Sequence, residues 1–132
     1  MENFILHIAP ITILLFLLVT FLQSGIDKIM DWKGNLGWLK EHFAATFLRN
    51  IVPLLLAIVL LIEVITSFYC LLGIYQLIDG NDTFYATVAM FLGCVTLILL
   101  LFGQRVAKDY QGALTITCYF MVAAFGLYVV TR

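Results

Sequence analysis

IVPLLLAIVLLIEVITSFYCLLGIYQLI, residues 51–78, is an apolar run with one charge in it, Glu63. As α-helix at 1.5 Å per residue, the run is long enough to cross a ~30 Å hydrocarbon core with tilt. As a barrel strand it fails, because it does not alternate apolar with polar residues. A carboxylate at bilayer depth costs several kcal/mol unless it is paired, protonated or facing water, so Glu63 needs a partner or a task.

The rest of the chain has the same character. Of its 132 residues 64% are hydrophobic and 11% charged, with a mean hydropathy of +1.09, more apolar surface than a soluble domain of this size can bury. The net charge of −1 argues against a nucleic-acid partner, which would select a basic face. The lipid bilayer is the partner this composition requires.

Charged residues cut the chain into four spans, at about 4–30, 51–78, 83–104 and 110–131, each near or above the ~20 residues a crossing needs. Short joins between them predict an all-α membrane protein, an antiparallel four-helix bundle forming one integral membrane domain over residues 1–132. The first span is read as a retained helix. Glu2 is the only charge ahead of it, and QSGIDKIMDW after it offers no small-x-small cleavage site. Pro10 falls in the first turns of that span, where a missing N–H does least harm.

The Lys and Arg residues divide unevenly among the loops. Lys28, Lys33, Lys40 and Arg49 fall within residues 25–50, from the end of the first span to the start of the second, and Arg105 and Lys108 between the last two. The DGND loop at 79–82 carries only acids, and Arg132 is the one cation at the far ends. The positive-inside rule then predicts the first and third loops in the cytoplasm and both termini outside.

The first loop has structure of its own. Trp32, Leu36, Leu39, Phe43 and Phe47 recur at helical steps, with Lys33, Asn35, Lys40 and Glu41 largely opposite. This predicts an amphipathic interfacial helix over about 32–48, with Gly34 and Gly37 permitting a bend at its start. A packing lid over the end of the bundle is the preferred reading, ahead of a docking surface for a partner.

Gln23, Ser24, Asp27 and Lys28 cluster at the end of the first span, and with Glu63 they make the predicted buried polar network. Lys28 is the expected counter-ion, with Gln23 and Ser24 bridging the difference in depth. A clamp between the first two spans is favoured over a proton- or substrate-handling site, in which Glu63 is the candidate catalytic residue. The third loop, FGQRVAKDYQGA, predicts a tight turn in which Arg105, Lys108 and Asp109 make a local ion pair, with an anionic lipid or partner as the alternative.

Other chemistry is poorly supported by the sequence. Cys70, Cys94 and Cys118 lie one in each of the last three spans, without the adjacent pair that dithiol exchange uses, and are expected to be buried and inert. His7 and His42 fall near opposite faces and cannot ligate one haem iron, and no grouped ligands for a metal are present. Ala89-x-x-x-Gly93, Ser67, Gly73 and the Ala123, Ala124 and Gly126 group mark where helices approach closely.

The first span ends F-x-x-S-G-x-x-K at Phe21, Ser24, Gly25 and Lys28, and the second carries L-x-E at Leu61 and Glu63 with Gly73 ten residues on. In these residues, and in the order and spacing of its spans, the chain resembles the DoxX family of small bacterial four-helix membrane proteins. It departs from the family at Thr66-Ser67, where small glycines are frequent after the acid. The resemblance implies a multi-pass protein of a bacterial inner membrane, with Lys28 and Glu63 a characteristic pair. It also implies a link, in some relatives, to membrane oxidoreductases that reduce quinone or handle thiol stress.

Three functions follow as expectations. The first is an accessory or anchoring subunit of a larger membrane complex, redox-linked and not an enzyme on its own. The second is a quinone-reactive oxidoreductase subunit, with Glu63 handling protons and Phe68, Tyr69, Tyr119 and Phe120 flanking the ring. The third, a small transporter, is disfavoured by the little volume four short helices enclose. The motifs show no evident cofactor, and quinone is the one the second reading brings.

Overall fold

A computed structural model describes residues 5–80 and 82–131. Phe4, where the first span was expected to begin, lies outside the described residues, as do Glu2, Asn81 and Arg132. The protein is an all-α membrane protein: 89% helical, without strands among the described residues. Its elements are α1 (Ile8–Met30), α2 (Trp32–His42), α3 (Val52–Asp79), α4 (Phe84–Val106) and α5 (Tyr110–Thr131), with a 3₁₀ turn at Arg49–Ile51 before α3. Four of these helices, all but α2, are long and apolar enough to cross a membrane.

The spans form an antiparallel ring. α1 packs on α3, α3 on α4, α4 on α5, and α5 closes back on α1 through a smaller contact. α1 and α4 also meet across the ring. The core therefore runs along their facing sides: Leu14, Leu17 and Phe21 of α1 against Ala89, Met90 and Leu97 of α4. Gly93, in the small-residue step of α4, leaves the space that Phe21 fills, since a Cβ there would sit 3.3 Å from the ring. A close approach also joins α3 to α4. A Cβ on Gly73 would lie 3.0 Å from the backbone nitrogen and Cα of Ala86, so the two helices meet backbone to backbone.

Side chains cap the helix ends. Asp82 Oδ1 accepts the N–H groups of Thr83 (2.7 Å) and Phe84 (3.2 Å) at the start of α4, and Gln76 Oε1 accepts that of Tyr85 (3.0 Å). α4 ends with the Lys108 N–H on Arg105 O (3.2 Å) and the Asp109 N–H on Gln104 O (2.9 Å), the pattern of a Schellman motif. Lys108 occupies its left-handed position (φ 61°), where glycine is usual. Asp109 Oδ1 then accepts the Gly112 N–H (2.9 Å) and starts α5.

The interfacial segment is a helix for less of its length than its periodicity predicts. The chain leaves helical geometry at Asp31 (φ −135°, ψ 56°), whose side chain accepts the Gly34 N–H (3.3 Å) and caps α2. The bend thus falls before Gly34 and Gly37, which lie inside the helix. α2 stops at His42, and the Thr46 hydroxyl accepts the Leu48 N–H (3.2 Å) within the turns that follow, so Phe47 stands exposed outside the helix. Over α2 itself the expected faces hold: Trp32, Leu36 and Leu39 are half-buried, while Lys33, Lys40 and Glu41 are exposed.

Candidate functional site

Glu63 is among the most buried side chains in the chain, at 1% exposure, near the middle of α3. α3 carries no other charge before Asp79, so the acid cannot be answered from its own helix. Lys28 reaches it from the last turn of α1, placing Nζ 2.9 Å from Glu63 Oε1. The ammonium also donates to Ser24 Oγ one turn back, so the hydroxyl fixes the end of a long, flexible side chain. The depth offset between the two residues is thus spanned by the Lys28 side chain itself.

The pair is close without being saturated. The approach of Nζ to Oε1 falls outside hydrogen-bond geometry, and Oε1 has no aligned donor even though it is fully buried. The contact is therefore an ion pair at short range rather than a directed hydrogen bond. Ser67, one turn along α3, donates to the Glu63 backbone carbonyl (2.9 Å) and not to the carboxylate. Thr66 likewise donates to Ile62 O (2.7 Å), so both hydroxyls that follow the acid are spent on their own helix.

Gln23 and Asp27 stand differently from the network expected of them. Both are exposed, and neither bonds Glu63 or Lys28. Helical geometry explains this: Gln23 and Asp27 are four apart and share a stripe turned away from the Ser24–Lys28 stripe that faces α3. Asn35 of α2 approaches Asp27 at its carbonyl (3.4 Å) and Oδ2 (3.5 Å), tying the end of α1 to the interfacial helix. Gln23 and Asp27 nonetheless line, with Thr20, Ser24 and Tyr119, a cleft of about 410 Å³ that reaches Glu63 between α1 and α5. Of the four aromatic residues expected around a ring, only Tyr119 lies in this cleft. Phe68 and Tyr69 pack edge to face on each other further along α3, 6.0 Å apart.

His42 is the residue that sequence reasoning missed. Its ring bonds Gln104 through Nε2 (3.0 Å), lies 3.7 Å from Asp109 Oδ2, and stacks on Trp38 with centroids 4.6 Å apart. Gln104 stands 62 positions away, so no local pattern could mark the contact. Asp109 is therefore drawn to the interfacial helix rather than into the local ion pair expected with Arg105 and Lys108. Arg105 instead lies over the Tyr110 ring at 4.9 Å.

The cysteines are free, with Cys70 and Cys94 buried. Cys118 is exposed on the outer surface of α5, against the expectation that all three lie inside, because its stripe faces away from α4. No group of three or more His, Cys, Asp or Glu side chains among the described residues is placed to hold a metal ion. Compared with known proteins, the chain matched no family model, no curated protein and no solved structure.

Proposed function

We propose that this chain is a DoxX-like accessory or anchoring subunit of a larger, redox-linked complex in a bacterial inner membrane, with Lys28–Glu63 as its internal clamp. The carrying observation is that the charge sunk into α3 is answered within the chain, by a lysine whose own position Ser24 fixes. A compensated pair joining α1 to α3 secures the bundle and leaves the outer helix faces for assembly. Those faces are extensive, since only 22–39% of each span's apolar window is buried inside the chain. The proposed orientation puts α2 and the α4–α5 turn in the cytoplasm and both termini in the periplasm, on the Lys and Arg excess at the α2 end.

The Glu63 cleft favours a second reading, a quinone-reactive subunit in which Glu63 exchanges a proton with a ring held beside Tyr119. Its support is that Oε1 is buried without an aligned donor while the carboxylate borders an open cleft. The Lys28→Met/Glu63→Leu double variant separates the two. As a clamp, the pair is replaceable by packed apolar side chains, and the double variant folds, assembles and supports the cellular role. A folded, assembled but inactive double variant overturns the clamp in favour of proton handling.

A further inference from the structure

A second cavity, of about 460 Å³, lies beneath α2, reaches Lys28 and shares Leu100 and Ile116 with the Glu63 cleft. Leu39 and Phe43 roof it, and Val59, Leu100 and Ile116 form walls from α3, α4 and α5. An apolar volume of this size left empty forfeits dispersion contacts along its whole lining. Water is a poor filling, because the polar groups at its α2 end are already engaged and a buried water needs two to four partners. Lys28 is held by Glu63 and Ser24, the Asn35 amide donates to Asp31 O (2.8 Å), and the His42 ring bonds Gln104. Ile58, Leu99 and Phe102 line the cavity and are also exposed on the outside of their helices, so its wall is continuous with the lipid-facing surface.

The exposed charges that adjoin its lining in the chain are mostly basic. Lys40, Arg49 and Arg105 directly neighbour the lining residues Leu39, Leu48 and Gln104 in the chain, and none of the three is in a carboxylate pair among the described residues. Of the nearby acids, Asp31 and Asp109 are occupied at the starts of α2 and α5, and Glu41, beside His42, is exposed and outside any ion pair among the described residues, which leaves the cations in excess. We propose that the cavity holds one acyl chain of an anionic phospholipid, whose phosphate rests on Lys40, Arg49 and Arg105 at the bilayer surface. The chain runs under α2 past Val59 to Leu100 and Ile116, which also border the Glu63 cleft. Basic side chains beside a lipid-accessible apolar slot supply both halves of such recognition.

The full chain, stripped of lipid in mild detergent, is titrated with phosphatidylglycerol and phosphatidylcholine and followed by native mass spectrometry. One phosphatidylglycerol per chain is expected, favoured by about tenfold over phosphatidylcholine. Val59→Phe, which fills the slot, abolishes it, and Arg49→Gln with Arg105→Gln removes the headgroup preference while a lipid chain still binds. Equal retention of the two lipids, or undiminished phosphatidylglycerol binding in a folded Val59→Phe protein, overturns the proposal. A measurement without a cavity variant uses Trp38, which lines the slot. In a Trp32→Phe protein, phosphatidylglycerol brominated along its chains quenches Trp38 at one equivalent. Absence of that quenching, or its loss to a competing isoprenoid quinone at equal concentration, places something else in the slot.

Discussion

Lys28 and Glu63 each bring a charge into a region that penalises both, and neither residue is tolerable there alone. Lys28→Met strands the carboxylate, with a cost of about 3–5 kcal/mol for an uncompensated buried charge. Glu63→Gln keeps the shape and a hydrogen-bonding amide without leaving a buried charge, so it costs less. The double apolar variant recovers much of the loss, and a double-mutant cycle read by thermal unfolding in detergent reports the coupling. Strict additivity would mean that the 2.9 Å approach carries no energy. Much of this pairing is legible in the sequence, because a lone acid in an apolar run needs a counter-ion and Lys28 is the nearest cation at the neighbouring helix end. The orphaned Oε1 is not legible, since hydrogen-bond angles depend on how α1 rotates against α3.

Two elements carry predictions of their own. α3 and α4 touch at Gly73, where an added methyl meets the Ala86 backbone at 3.0 Å, so the helices must shift apart by a few tenths of an ångström. Gly73→Ala is expected to destabilise the bundle by about 1–3 kcal/mol, the cost of overpacking, as measured by thermal unfolding. An unchanged unfolding temperature would show that the helices are further apart than described. α2 depends on His42. His42→Ala removes the bond to Gln104 and the stack on Trp38, so hydrogen exchange over 32–42 should rise and Trp38 emission shift, while α1, α3, α4 and α5 keep their protection. The four spans are legible because apolar length and charge position determine them. The extent of α2 is not, because Phe43 and Phe47 continue its period although turns made through Thr46 end the helix first. His42 is likewise illegible: its partners come from the opposite end of the chain and are assembled only by the fold.

Over the whole molecule, charge asymmetry and burial make separable claims. Six cations sit at the α2 end among the described residues, Lys28, Lys33, Lys40, Arg49, Arg105 and Lys108, against only acids in the α3–α4 loop. A reporter active only in the cytoplasm should therefore be silent when fused after Arg132 and active when inserted between α4 and α5. The opposite pattern would invert the orientation. The proposed role places this bundle inside an assembly of different chains. Its most direct test is the mass of the particle that mild detergent releases from native membranes, taken by native mass spectrometry. The expected mass includes at least one other chain at fixed ratio to this 14.9 kDa chain. A particle weighing one subunit, or a whole multiple of it apart from lipid, would contradict the account.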